Sequence, residues 1–598
     1  MKLLGITIGQ CSGCALFHDN KIIFAASEER YSGEKSDESY PLNSINAALK
    51  YCKIHADEID RVLVGGYSIP PITVLLRMYS KFSVNDHLIA MEKYWLPKLS
   101  GKKYPNLLSL FSDKISYEKF PFDSSEFKTS NILNIDHHDF TDDKINEVSN
   151  FFKKVISSHL GIDESKIIHM EHHLCHAAYA FYGSPIRDDK TLIFTADAWG
   201  DHLSATISYF DKKNQKIVRL REYSDKNFQL ARIYRYTTLY MKMLPDEHEY
   251  KVMGLAPYND DQPKIAQVEK VFQSMQSLDG LEFRFNSSIK NIFSYLEENL
   301  RQFRFDQIAS GLQSFTEKIL TQWIQNVISE YGSKTIVFSG GISMNVKANM
   351  KISQLHDVEK LFICGGGGDQ SLSMGSCYAY SESQKIIPKS LENLYLGDSC
   401  VYSDNDLKKI SGKYNIFTFE NTDQLLKRIL DGKIIATCLG RTEMGPRALC
   451  NRSILADPTK RENIEIINRK IKNRDFWMPF APVILHEFQD QLLENPKKIE
   501  SPHMTIGFDT IKGKERIPAA VHQYDGTARP LILKKETNPL VWELINKFHD
   551  KTGIPALLNT SFNLHGKPIV NSFLDALHVF ENSGLDVLWL DKHIIEKS

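Results

Sequence analysis

A three-strand pattern that occurs twice constrains this chain more than any other feature. Lys2 to Gly9 reads as a buried strand, and after the small-residue turn Gln10 to Gly13 the run Cys14-Ala15-Leu16-Phe17 reads as its hairpin partner. Asp19-Asn20 then turns into a third strand, Lys21 to Ala26. The same grammar returns at Thr191 to Asp197, the turn Ala198 to His202, Leu203 to Phe210, the polar turn Asp211 to Gln215, and Lys216 to Leu220. Two such meanders, each opening half of a domain, are an internal duplication.

That duplication predicts an α/β domain made of two ribonuclease-H-like halves, the actin and hexokinase-type nucleotide-binding architecture. At 598 residues the chain exceeds the roughly 250 to 300 residues at which single cores stop growing, so two or three domains are expected. The first spans 1–383, with an aromatic- and Lys-rich insertion over about 67–160; a polar, Pro-containing linker follows at 384–394; a second domain of mixed α/β and α+β character fills 395–598. No stretch is long and apolar enough to span a bilayer, and the start MKLLGITIGQCSG lacks the apolar run of a signal peptide. Nine thinly spread cysteines fit a reducing cytoplasm. With a formal net charge of -1 there is no basic field to attract nucleic acid, so anionic ligands must be held by local Arg and Lys clusters.

His172 and His176 are spaced i, i+4, which on a helix places two imidazoles on one face, able to share one metal ion. A zinc protease would need Glu directly after the first His; His173 is there instead, which excludes that class. Asp197, at a strand end, reads equally as a further metal ligand or as a turn cap. Cys11-Ser12-Gly13-Cys14 is a C-x-x-C pair without a second pair, and reads as a turn. Asp136-His137-His138-Asp139 reads as a polar loop, because adjacent residues point apart on either a helix or a strand.

Two strand-glycine-helix units follow. Thr335 to Gly341 precedes a polar helix containing Asn345 and Asn349, and Leu361 to Asp369 carries four glycines, Gly365 to Gly368, ahead of a helix from Gln370 to Tyr380. Such loops let backbone N–H groups approach a phosphate, and Asp369 at the mouth of the second could reach a metal held by the two histidines. Two imidazoles with hard carboxylates suit iron, manganese or zinc. In the second domain, turn-like runs around Arg447, Arg452, Lys472, Arg474 and Arg529, and the segment Asn559 to Asn563 with Ser561 and Asn563, hold the cations, hydroxyls and amides that bind phosphate.

As a set these residues resemble the O-carbamoyltransferases of the nodulation-protein and tobramycin carbamoyltransferase type. The matching pieces are S-E-E-R at 27–30, H-H-L-C-H-A at 172–177, E-Y-K-V-M-G-L-A-P-Y at 249–258, S-G-G-I-S-M-N at 339–345 and G-G-G-G-D at 365–369. G-R-T-E-M-G-P-R-A-L at 440–449, M-P-F-A-P at 478–482, D-G-T-A-R at 525–529 and N-T-S-F-N at 559–563 complete them, in the family's order. The resemblance implies an actin-like domain similar to the tRNA threonylcarbamoyl transferase, followed by a YrdC-like domain. It implies that the second domain makes carbamoyl-adenylate from carbamoyl phosphate and ATP, with magnesium, and that the first passes the carbamoyl group to a hydroxyl of a sugar or small-molecule acceptor.

Carried over by residue, the resemblance makes His172, His176, Asp197 and Asp369 metal ligands, commonly to ferrous iron, with His172, His176 and Asp369 at the centre of catalysis. Gly340, Gly341, Asn345, Gly366, Gly367 and Gly368 become nucleotide-binding, and Lys472, Arg474 and Arg529, supported by Arg447 and Arg452, together with Ser561 and Asn563, hold the phosphates of carbamoyl phosphate and ATP. A homodimer is compatible with this reading. Two departures stand out. Gln10-Cys11 replace the family's usual His-Asp turn, and Gln takes no proton at neutral pH, so the base for the acceptor hydroxyl is unassigned. Met478 replaces a usual Arg ahead of P-F-A-P. The competing reading is a non-catalytic, nucleotide-responsive actin-like scaffold, which has no use for a second phosphate cage; transfer to tRNA is disfavoured by the near-neutral charge.

Overall fold

The computed structural model describes residues 1–69, 82–114 and 141–597, so Asp136-His137-His138-Asp139 lies outside the described residues. The chain divides into two compact units: Met1–Glu28, Ser36–Val358 and Gly367–Ser390 form the first, and Glu29–Lys35, Glu359–Gly366 and Leu391–Ser598 the second. The segments 29–35 and 359–366, which the sequence places in the first domain, thus count with the second. Physical anchors explain the former: Arg30 donates to the carbonyls of Gly445 and Ile569, and the Tyr31 hydroxyl to Asp398.

In the first unit, β1 (Leu3–Thr7), β2 (Gly13–His18) and β3 (Lys21–Ser27) form an antiparallel meander. β4 (Arg61–Gly65) then runs parallel beside β1, and β5 (Ile167–Met170) parallel beside β4. The second meander is β6 (Leu192–Gly200), β7 (Leu203–Asp211) and β8 (Lys216–Ser224), after which a hairpin of β9 (Gln276–Asp279) and β10 (Glu282–Phe285) leads on to β11 (Thr335–Ser339), parallel beside β6. The two meanders therefore share one topology, three antiparallel strands with a parallel fourth beside the first, as the repeated pattern predicts. Strands β1 and β4 are continuous apolar runs and not alternating ones, because both faces of the sheet are covered.

The helix Leu372–Ser383 packs on β1 and β4, and along it lies the helix His172–Tyr182, buried at every residue but Leu174, which packs on β6 and β11. A helix buried all round needs apolar or small residues on every face, which the run Ala177-Ala178-Tyr179-Ala180-Phe181 supplies. Behind β6, Trp323 of the 27-residue helix Phe305–Tyr331 packs edge-on against Phe194 and Tyr223, and donates its indole N–H to the Tyr223 hydroxyl.

The second unit contains the short strand β12 (Lys360–Ile363), a two-stranded pair of β13 (Tyr395–Ser399) and β16 (Arg441–Glu443), and an eight-stranded mixed sheet. That sheet is built from β14 (Tyr414–Thr418), β15 (Ile435–Cys438), β17 (Ser453–Ala456), β18 (Ala481–Leu485), β19 (Leu531–Leu533), β20 (Ala556–Ser561), β21 (Val587–Leu590) and β22 (His593–Lys597). Its order is β14-β22-β21-β15-β17-β20-β18-β19, which brings β15, β17 and β20 side by side, and with them the motifs at 440–453 and 559–563.

Candidate metal and anion sites

The histidine helix starts where it does because two carboxylates take up its first N–H groups. Glu171 accepts from His173 N at 2.9 Å and Leu174 N at 2.6 Å, and Asp201 accepts from His172 N at 2.7 Å. One turn on, His176 is carried onto the face of His172, with the two Nε2 atoms 3.1 Å apart. Asp197 on β6 brings Oδ2 to 3.3 Å from His176 Nε2, and Asp369 places Oδ1 3.6 and 3.7 Å from the two imidazoles. The four ligand atoms lie within 4.8 Å of one another. All four residues singled out in the sequence meet here, and Asp197 fills both places expected of it, since its Oδ1 also accepts the turn N–H of Ala198 at 2.6 Å.

Donor atoms bound to one ion at about 2.1 Å stand about 3.0 to 3.4 Å apart, so the spacing observed suits a common cation. His176 Nδ1 faces Ser371 Oγ at 3.1 Å; a proton there leaves the Nε2 lone pair turned inward. Burial opposes a charge on His176, but Asp197 and Asp369 outweigh it and raise its pKa to about 9. Burial likewise opposes the Asp197 charge, yet His176 holds that carboxyl well below the usual range, whereas burial and the Asp197 charge push Asp369 up. Two carboxylates and two imidazoles crowded out of water in this way are a donor set able to hold a positive ion. Gly200 is part of the design, since a Cβ there would sit 2.2 Å from the His172 ring. His173 is excluded: its Nδ1 meets Thr195 Oγ1 at 2.8 Å, and burial followed by its two histidine neighbours holds it neutral.

The glycine loops do something other than expected. Gly340, at φ +94°, donates its N–H to the Gly367 carbonyl at 2.8 Å, and Gly341 donates to Asp197 Oδ2 at 2.9 Å. These two amides brace the acidic cluster and are not available to a phosphate. Asn345 is likewise corrected: its Oδ1 caps the helix Val346–Gln354 by accepting from Ala348 N, and its amide pairs with Gln313. Gly366 turns the chain at φ +67°, and the space a Cβ on Gly368 would take is open, so the nucleotide reading rests on Gly366 to Gly368.

In the second unit Lys472 is buried among the acceptors predicted beside it. Its ammonium donates to the carbonyls and side-chain oxygens of both Ser561 and Asn563. Burial first, and Arg474 second, push its pKa well down. Arg474 stacks on Phe480 with its guanidinium carbon 4.2 Å from the ring centroid and donates Nε to Asn468. Arg529 has no hydrogen bond or ion pair among the described residues, and its Nε is buried. Burial, then Arg447 and Arg474, push its guanidinium well below the usual range. Arg529, crowded by Arg447 and Arg474 and with no carboxylate answering it among the described residues, is a cation able to take an outside anion.

Arg452 does not belong to that cluster. It is fully buried, and its five N–H donors are spent on the carbonyls of Asn571, Leu439, Asn451 and Gly440. It is an internal strut between β15, β17 and the segment before the helix Phe573–Glu581. Sequence reasoning missed Glu443, whose Oε1 accepts the amides of Leu449, Asn451 and Arg452, while Asn559 donates to the Ala448 carbonyl. Together they hold the turn that follows Arg447; an acid three residues after Gly440 and two before Gly445, inside a turn-like run, is the signal that pointed to it.

The family model described as Carbamoyltransferase N-terminus matches residues 2–378, and Carbamoyltransferase C-terminus matches 426–597. An uncharacterized protein of Methanocaldococcus jannaschii is 29% identical over 100% of this chain and 99% of its own length. Nodulation protein NolNO of Sinorhizobium fredii is 31% identical over 73% of this chain and 65% of its own. The 3'-hydroxymethylcephem-O-carbamoyltransferase of Amycolatopsis lactamdurans is 28% identical over 42% of this chain and 46% of its own. With two family models covering nearly the whole sequence, this chain belongs to the carbamoyltransferase family.

Proposed function

We propose that this carbamoyltransferase is an ATP-dependent O-carbamoyltransferase that activates carbamoyl phosphate as carbamoyl-adenylate and transfers the carbamoyl group to a hydroxyl of a sugar or small molecule. One observation carries the reading: a single chain holds a four-member His and Asp cluster in one unit and, in the other, a desolvated Arg529 beside Arg447 and Arg474 that has no ion pair of its own among the described residues. A scaffold that only senses nucleotide needs the first and not the second.

On this reading the second unit is the YrdC-like activating domain. Arg529, with Arg447 and Arg474, receives the phosphates of carbamoyl phosphate and magnesium-bound ATP, and Lys472, steadied by Ser561 and Asn563, lines the same cradle. Bidentate guanidinium contacts fix the orientation of a phosphate, and the low-dielectric surroundings that depress Arg529 strengthen each contact. Carbamoyl phosphate, ATP and water yield carbamoyl-adenylate, pyrophosphate and phosphate. The first unit is the actin-like transfer domain. His172, His176, Asp197 and Asp369 would hold ferrous iron or another divalent transition metal, which when bound supplies positive charge to neutralise a phosphate group. Ser371 orients His176, Gly341 orients Asp197, and the open face at Gly368 lets a nucleotide phosphate approach the loop.

The purified protein is to be incubated with isotope-labelled carbamoyl phosphate, ATP and a metabolite extract, and the products analysed by mass. A hydroxyl compound that gains one labelled carbamoyl group only when ATP is present supports the reading. Release of the label only as carbamate, or its transfer without ATP, contradicts it.

A further inference from the structure

A pair of buried thiols in the second unit has no part in the chemistry above. Cys400 follows β13 and Cys438 closes β15, and their sulfurs are 2.8 Å apart. Both are thiols, outside any disulfide. That separation falls between a sulfur–sulfur bond of about 2.05 Å and ordinary contact, so little movement separates the pair from a covalent link. The backbone holds them there. Cys400 donates its N–H to the Gly440 carbonyl at 2.9 Å, Gly440 donates to Asp591 Oδ1 at 2.9 Å, and Arg452 grips the carbonyls of Leu439 and Gly440. The backbone is thus fixed at Cys400 itself and directly after Cys438, which holds the two thiols side by side.

We propose that Cys400 and Cys438 are a redox-sensitive pair that closes to a disulfide when the protein meets hydrogen peroxide. Burial opposes ionisation of Cys438, but the Cys400 contact and the Arg452 charge outweigh it and hold that thiol below its usual range, while the Cys438 contact and burial push Cys400 up. Cys438 is thus the nucleophile. Its sulfur attacks one peroxide oxygen, the O–O bond breaks, and water leaves with a sulfenic acid formed. Cys400 attacks that sulfur, the S–O bond breaks, a second water leaves, and the disulfide is made. Two thiols give up two electrons and two protons, and one peroxide becomes two waters. Cys438 is fully buried and Cys400 only 6% exposed, so the pair reacts through local opening, which admits peroxide far more readily than a bulky disulfide.

The link has a defined place. Cys438 stands two residues before Gly440, where the run to Arg447 begins, so the disulfide ties the root of that loop to the chain after β13. It also closes a loop of the unfolded chain without distorting the folded one, and so stabilises the oxidised protein. The inference is independent of the reaction assigned above.

Full-length reduced protein is treated with hydrogen peroxide under native conditions, alkylated, and mapped by mass spectrometry without reduction. The expected result is a peptide pair joined through Cys400 and Cys438, a melting temperature several degrees above that of the reduced protein, and reversal of both by dithiothreitol. Cys400→Ser should lose the link and the thermal gain together. The proposal is overturned if Cys400 and Cys438 are both recovered alkylated while the more exposed Cys11 or Cys52 is oxidised, or if Cys400→Ser keeps the thermal gain.

Discussion

At the scale of single residues, the two arginines that the sequence treats alike are opposites. Arg452 satisfies carbonyls inside the fold, so Arg452→Met should leave buried acceptors unmade and lower stability by about 3 to 5 kcal/mol, read by chemical denaturation. Arg529 is a desolvated cation with no partner among the described residues, so Arg529→Met should leave the ligand-free protein as stable or more so. Inorganic phosphate should raise the melting temperature of the parent protein and not of Arg529→Met. Equal loss of stability in the two variants would show that Arg529 is structural. The reason the sequence does not separate them is physical: both sit among Gly, Pro and apolar neighbours, and only the fold shows which guanidinium finds carbonyls. The grouping of His172 and His176 is legible for the converse reason, since the i, i+4 spacing brings the two together once the segment is helical. We expect about one equivalent of transition metal in protein purified anaerobically from iron-replete cells, and almost none in His176→Ala or Asp369→Ala, by elemental analysis. A metal-poor parent protein prepared in that way would remove the ligand assignment.

At the scale of elements, strands and turns were readable because hydrophobic runs and turn residues are local signals. β1 to β3 and β6 to β8 match the expected meanders, their ends shifted by a few residues. The glycine loops were misread because a Gly-rich run signals close approach without saying what approaches. Around Gly340 and Gly341 it is the neighbouring loop and Asp197. Gly200 was not singled out at all, since a glycine in a strand says nothing of a histidine packed on it from another element. Gly200→Ala should therefore displace His172 and lower metal content severalfold while leaving circular dichroism near that of the parent protein. Full metal retention in a folded Gly200→Ala would mean that the His172 ring is not held by this contact.

At the scale of the whole molecule, the last change of compact unit along the chain falls between Ser390 and Leu391. The short excursions at 29–35 and 359–366 are not legible in the sequence, because they depend on long-range contacts such as Arg30 with Gly445 that no local pattern encodes. The central claim is that activation belongs to the arginine cradle and transfer to the His and Asp cluster. The most direct measurement is carbamoyl-phosphate-dependent pyrophosphate release from ATP, on Arg529→Ala and on His176→Ala, each checked for folding. Losing a preorganised electrostatic contact costs on the order of a hundredfold or more, so Arg529→Ala should release almost no pyrophosphate. His176→Ala should keep most of that activity while failing to carbamoylate any acceptor. A folded His176→Ala that loses pyrophosphate release as completely as Arg529→Ala would contradict the account, and would place activation and transfer in one site.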